Sequence, residues 1–357
     1  MPWSTPTLRD TRRLTRDYVL SQLGAKAMIP NSALRIMSDA KAALAHLAFL
    51  YLDWLAKQLL PDTAEHEWLD RHGIIWLENA DGSKGRKAAT YASGALLFTG
   101  VTGTIIPLGT TLTGGNQVPY QTVTEGVIGV DGTGSANAAA LTAGTDGNLP
   151  DGTALTLAPG IAGVDTVACF GDMTGGVNEE TDDQLRERIL FRIQNPPMGG
   201  SQADYVRWAM AVPGVTRAWA ATEIGPGTMT VRFLMDDLYP DNHGLPTDAD
   251  IAVVRDYIDS KRPVTVKDCF VMAPMLFFYD LTISQLVNDD STVRARIEQS
   301  IKDMEFVRSK PGQTMYRSWV DEAVSQAVGE VTHELDFETT VMPVPASMPV
   351  LGTILYD

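Results

Sequence analysis

The chain is poor in the residues that usually announce chemistry. Of its 357 residues only two are cysteine, Cys169 and Cys269, far apart and without metal-ligand spacing. That excludes a disulfide framework and fits assembly in a reducing compartment. No GxxxxGK[ST] phosphate loop and no GxSxG nucleophile elbow occurs. Positive charge is scarce too: 28 Lys and Arg stand against 44 Asp and Glu, a formal net charge of −16. A field of that sign repels nucleic-acid backbones and anionic bilayers, so neither is expected as the main partner. Arg9, Arg12, Arg13 and Arg16 form one local basic cluster, whose plainer reading is a solvated helix face.

Long hydrophobic runs are missing as well. The greasiest stretch, AALAHLAFLYLDWLAKQLL (42–60), is interrupted by Asp53 and Lys57. Its uninterrupted part falls short of the roughly 20 residues a membrane span needs, so no membrane insertion is expected. The first residues show no apolar core with a small-residue cleavage site, and no secretory signal is expected. With 44% hydrophobic and 20% charged residues the chain reads as folded, and its length predicts two to four domains.

What is present is a change of pattern that predicts four segments. Residues 1–87 read as helical. Leu34, Met37, Leu44, Leu47, Tyr51 and Leu55 recur on one face of a helix that Asn31 or Ser32 caps and Pro61 stops. Ala42, Ala43, Leu50 and Trp54 make a second face apolar, and a helix greasy all round needs more than one neighbour. Leu44, Leu47, Tyr51, Trp54 and Leu55 are therefore the candidate interface residues. A shorter helix follows in TAEHEWLDRHG, with Thr63 as its cap and Gly73 as its stop.

Residues 88–177 contain no Lys or Arg and are rich in Gly and Thr. Their short β-prone runs, ALLFTG, GTIIPLGTTLTG, QTVTEGVIGV and ALTLAPG, predict a small β-sandwich or barrel. Residues 178–272 and 273–357 mix helix and strand patterns. TRAWAATEI and TMTVRFLMD flank a GPGT turn, VTVKDCFVM precedes LFFYDLTISQLV, and helical rows such as Val293, Ile297 and Ile301 lie between and after them. The expected fold class is multidomain α+β with antiparallel sheets in the C-terminal modules.

Candidates for chemistry fail on spacing. His66 and His72 in HEWLDRH are not at i, i+4, so they face different ways. GTGSAN (132–137) lacks the last Gly of a dinucleotide fingerprint and reads as a hairpin tip or loop. DDLYPDNHGLPTDAD (236–250) is carboxylate-rich but lacks the ligand alternation and closing Glu of an EF-hand loop. It reads as an acidic connection ending in a Thr247 cap. Glu179 and Glu180, like Asp289 and Asp290, fall where helices begin, and the helix dipole accounts for them. No catalytic residue, metal ligand or cofactor is expected, and no enzymatic activity.

The stretch EETDDQLRERILFRIQNPPMGGSQADYVRWAMAVPGV (179–215) reads as construction. Thr181 and Gln184 stand at capping-box spacing, Asp182 and Asp183 favour the helix start, and Pro196-Pro197 ends it. Gly199 and Gly200 admit unusual backbone angles before Ser201 and Asp204 open a second helix, whose row includes Tyr205; Pro213-Gly214 closes it. Arg186, Arg188 and Arg192 are expected to face away from the Leu185 row, towards acidic neighbours or a partner chain.

Those residues carry a resemblance. GGVNEETDDQLRERIL, PPMGGSQADYVRWAMAVPGV and the GPGT turn resemble the signature of the baseplate J-like family of contractile-tailed bacteriophages, with Thr181, Asp182, Arg186, Pro197, Gly199, Gly200, Asp204, Tyr205 and Gly214 as its fold determinants. YLDWLAKQLLPDTAEHEWLDRHGI, FTGVTGTIIPLGTTL, TAGTDGNLP, SKPGQTMYRSWVDEAVSQAVGEV and PVLGTILYD resemble the family's other segments in order. The resemblance implies a non-catalytic baseplate wedge protein of the virion tail, assembled in the host cytoplasm. It implies copies that pair within a wedge, close as a ring around a central hub, and bind a smaller wedge protein and sheath-proximal proteins. It also implies rearrangement of that ring on sheath contraction. Two rival readings stand beside it: an adhesin or glycan-binding β module on a helical stalk, and a metal-dependent hydrolase using residues 236–250. The adhesin predicts aromatics clustered in loops of the β segment, which offers Tyr91, Phe98, Tyr120 and Phe170.

Overall fold

The computed structural model describes residues 4–24, 26–157, 160–225, 227–263 and 268–357. Parts of the expected GPGT turn and of VTVKDCFVM lie outside them. The chain opens with α1 (Leu8–Leu23) and α2 (Ala33–Gln58), which pack as a hairpin. Thr7 and Ser32 cap their starts with side-chain oxygens, and Gly24 ends α1 in the left-handed conformation at φ 60°. Arg16 grips Asp39 through two bonds, of 2.7 and 2.5 Å, and fixes the register of the pair. Only Ser38, Ala42 and Gln58 of α2 are buried.

In α3 (His66–Trp76) two expectations are corrected. Thr63 does not cap it, since its hydroxyl donates to the Lys57 carbonyl and Glu65 occupies the cap position. Gly73 does not stop it either. A Cβ there would lie 3.2 Å from both Gly85 Cα and Leu185 Cδ1, so this glycine permits close packing instead.

Residues 93–174 close into a six-stranded barrel in the order β1-β6-β4-β3-β7-β8. Its strands are β1 (Ser93–Gly100), β3 (Thr111–Gly114), β4 (Pro119–Thr122), β6 (Thr133–Ala140), β7 (Ala154–Leu157) and β8 (Val164–Thr174), while β2 (Ile105–Ile106) and β5 (Gly126–Val127) form a short side ribbon. Closure removes free sheet edges. Gly132, at φ 76°, sits in the turn before β6 as the hairpin-tip reading expects, while Gly134 lies within β6, whose Ala136, Ala138 and Ala140 point inward. These small side chains leave room for Phe98 and Tyr120, both fully buried. Two of the four aromatics a glycan-binding surface would need are thus spent in the core. Where the β1–β8 register slips between Ser93 and Ala95, β8 carries Gly171 at φ 74°.

The chain then forms α4 (Asp182–Gln194), α5 (Gln202–Ala211), β9 (Arg217–Ala221), β10 (Thr228–Leu234), α6 (Asp248–Lys261) and β11 (Asp268–Met272). α5 and α6 pack on a sheet ordered β11-β10-β9, with Tyr205, Phe233, Val254 and Ile258 in its core. α4 turns elsewhere: its Leu185 and Ile189 bury against Leu69 of α3. The C-terminal unit adds β12 (Met275–Ser284), α7 (Ser291–Arg308), α8 (Arg317–Ser325), β13 (Glu334–Asp336) and β14 (Ser347–Tyr356). Val293, Ile297 and Ile301 of α7 are buried in its core, as the i, i+4 row predicts. The α+β class holds. Each C-terminal sheet combines an antiparallel pairing (β9–β10, β12–β13) with a parallel one (β10–β11, β12–β14), because the third strand arrives only after a helical crossover.

One buried acid lies between these last two units. Glu305 of α7 faces the Tyr279 hydroxyl of β12, and Tyr279 Oη and Glu305 Oε1 are both shielded from solvent. Burial pushes the Glu305 carboxyl up from 4.5 to about 7, opposed by Tyr279, the Leu351 backbone, Arg217 and Lys302. Below pH 4.5 folded and unfolded chains both hold this proton; between 4.5 and about 7 the unfolded carboxyl releases it first. Stability is therefore expected to fall as pH rises through that window. Glu305→Gln should flatten the slope in urea unfolding measured at about pH 5 and about pH 8.

Candidate functional site

The chain enters the barrel at Lys87 and leaves it at Glu180, and a cluster of charges sits at this neck. Glu180 and Arg188 side chains are 1% and 5% exposed. Arg188 Nη1 donates to both Glu180 oxygens, at 2.8 and 2.6 Å, and its Nη2 donates to Asn79 Oδ1 at 2.7 Å. The Lys87 N–H donates to Glu180 Oε2 at 3.0 Å, and the Glu180 N–H returns to the Lys87 carbonyl at 3.1 Å. Lys87 Nζ reaches the carbonyls of Met210, Val212 and Val215 at 3.3, 3.5 and 2.9 Å, holding the end of α5. Burial lowers the Lys87 ammonium to about 8, with Arg188 adding to the fall and Glu180 and Asp237 opposing it.

This geometry refines two expectations. Glu180 is not merely a dipole-stabilised residue at a helix start, and Arg188, which pairs with an acidic neighbour as expected, does so in the interior and not on the surface. Each satisfies the other inside the protein. Asn79 and Lys87 were not expected to take part. Its place as the last cation before a long cation-free stretch is the only signal for Lys87.

The signature residues surround the neck. Thr181 and Gln184 complete their capping box, as do Ser201 and Asp204. Asp182 accepts from Arg86 at 2.7 Å beside His66, and hydrogen bonds from His66 and Arg86 hold its carboxyl below the usual range. Arg186 donates to the Pro61 and Ala64 carbonyls at 3.3 and 3.1 Å, tying α4 to the start of α3. Pro197 follows the end of α4, Gly199 and Gly200 sit at φ 76° and 130°, and the Asp204 carboxylate gathers the N–H groups of Met198, Gly200 and Ser201. Tyr205 is fully buried beside it, and Gly214 at φ 82° closes the segment against Met235. Most of these contacts fix backbone, and the rest tie α4 to α3 or fill the core.

The candidate interface residues lie apart from the neck. Leu44, Leu47 and Tyr51 are 68%, 61% and 60% exposed on α2, while Trp54 and Leu55 are half-buried. Trp54 stacks on Tyr51, meets Trp68 edge-on and donates to Glu65. In the acidic loop Asp236 is held by Arg217 and Thr216, and Asp250 by Thr247 and Tyr239. No cluster of three metal-ligating side chains occurs among the described residues, and no described helix is long and apolar enough to cross a membrane.

Comparison with known proteins matches both halves of this arrangement. Residues 95–176 match the baseplate J-like protein barrel domain, and residues 197–273 match the baseplate J-like central domain. The neck helix α4 falls between the two matches. The chain is 31% identical to the Mu-like prophage FluMu protein gp47 of Haemophilus influenzae, over 99% of both chains. It is 32% identical to baseplate protein gp47 of Escherichia phage Mu, over 96% of this chain and 95% of that one. It also resembles the phage-like element PBSX protein XkdT of Bacillus subtilis, at 30% identity over 62% and 58% of the two chains.

The neck makes a stability prediction. Arg188→Met leaves a buried carboxylate unpaired and should cost about 3–5 kcal/mol in chemical unfolding. Adding Glu180→Gln to it should return a large part of that loss, because the uncompensated charge disappears. A double variant no more stable than Arg188→Met would show that the pair is not coupled.

Proposed function

The chain belongs to the baseplate J-like family and is a structural protein of a phage tail baseplate; from that premise we propose that it is a wedge subunit whose copies associate through the α1–α2 hairpin. The observation that carries this reading is the row Leu44, Leu47 and Tyr51, exposed beside Met37 and Leu50 on a 26-residue helix. Water penalises such a row at about 25 cal/mol per Å², and specific interfaces commonly cover about 1,600 Å² in all. A helical bundle built from several copies would bury it. In this reading two copies pair within a wedge, and wedges close around the central hub. A smaller wedge protein and sheath-proximal proteins complete the ring, which rearranges when the sheath contracts. The contribution is mechanical, and no catalytic step is assigned to it.

Leu47→Asp tests it. The side chain is exposed, so the barrel and both sheets should keep their near-ultraviolet signature while self-association, followed by light scattering, is lost. Normal tail particles assembled from the Leu47→Asp chain would refute the bundle.

A further inference from the structure

A second apolar surface lies beside the neck, whose Arg188 lines it. A groove of about 610 Å³ runs between the end of α3, α4, β9 and α7. One wall is Ile74, Ile75 and Trp76, which are 55%, 71% and 41% exposed; the other is Phe306 and Val307, at 49% and 80%. Phe191, Trp208 and Trp219 line it further. Large contiguous apolar surfaces of this kind mark sites of association. The volume suits a few large side chains, as in sites that bury a drug-sized group.

Its electrostatics oppose those of the whole molecule. In a chain of net charge −16, the groove is lined by Lys84, Arg192, Arg207, Arg217 and Lys261; the last three are engaged by Asp204, Asp236 and Glu78, and Glu187 is the other acid of the lining. Arg192 and Lys84 have no ion-pair partner among the described residues. Arg207 gives one nitrogen to Asp204, while its Nη1 is buried with no acceptor.

We propose that this groove docks an acidic amphipathic helix of a different protein chain. Its apolar anchors seat between the Ile75 and Val307 walls, and its flanking carboxylates meet Arg192 and Lys84. Recognition of a helix by an apolar groove needs anchors at i, i+3 or i+4, and i+7, with charge on the flanks setting the choice of partner. A second copy of this chain is the poorer fit. The two helices that carry its exposed apolar rows have the wrong sign: α1 has four Arg against two Asp, and α2 has three cations against two Asp. The proposal does not rest on the hairpin bundle, which uses the opposite end of the N-terminal region.

The test uses the full chain and two fluorescein-labelled synthetic helical peptides with the same Leu and Phe anchors, one flanked by Glu and one by Lys. Fluorescence polarisation should show the Glu peptide binding about tenfold or more tightly than the Lys peptide, an advantage that added salt erodes. Arg192→Glu should remove that preference, and Ile75→Asp should abolish binding of both peptides. Circular dichroism and the oligomeric state of each variant are measured alongside, since both side chains are accessible and the fold should persist. Equal affinity for the two peptides, no binding of either, or binding indifferent to both substitutions would overturn the proposal. So would self-association that Ile75→Asp disrupts and Leu47→Asp does not, because the occupant would then be a second copy.

Discussion

The arrangement hinges on one buried ion pair. Taking Glu180 and Arg188 out of water costs several kcal/mol for each ion, and only close geometry with further hydrogen bonds repays it. Here the Arg188 guanidinium also holds Asn79, and the Glu180 carboxylate also holds the Lys87 N–H. The pair therefore joins three stretches: the loop after α3, the point where the chain enters and leaves the barrel, and the first helix of the central unit. Lys87 extends the same knot to the end of α5 through three carbonyls. An apolar neck of equal volume could be as stable, but it would not dictate which strand meets which helix. Charges that tolerate one partner set do.

That knot divides the molecule into a rigid frame and surfaces left for others. Inside the barrel, Tyr120 spends its hydroxyl on the Gly147 carbonyl and small alanines make room for it. Inside the central unit, Asp204 spends its carboxylate on the backbone of a tight loop, and the bonds from Gly200, Ser201 and Met198 overcome its burial to keep it acidic. Polar groups that could have served a reaction are committed to shape. Large apolar side chains meanwhile stand in solvent on α2, at the end of α3 and on α7. In the proposed assembly, polar atoms define the part and the exposed apolar atoms are the surfaces left for association.

How much could be read in advance depended on distance along the chain. The capping boxes at Thr181, Ser201 and Thr247 were legible because donor and acceptor lie three residues apart. The i, i+4 row of α7 was legible for the same reason. Strand β6 was not, because TGSANAAA has little β preference of its own and is held by β1 and β4 on either side. Gly73 was misread as a stop because a close helix approach and a helix end call for the same residue.

Composition and local pattern alone determined the α+β class, the capping boxes and the charge-poor β segment, since each follows from groups within a few residues of one another. Only the tertiary structure decided that the β segment closes, that each C-terminal sheet takes a parallel strand, and that Glu180 is buried. It alone gathered Ile75, Arg192, Trp219 and Val307 around one groove. Such partners stand far apart in the chain, 93 residues between Lys87 and Glu180 and 109 between Asn79 and Arg188. No local periodicity encodes a pairing whose free energy arises only when the intervening units have folded and excluded water from it.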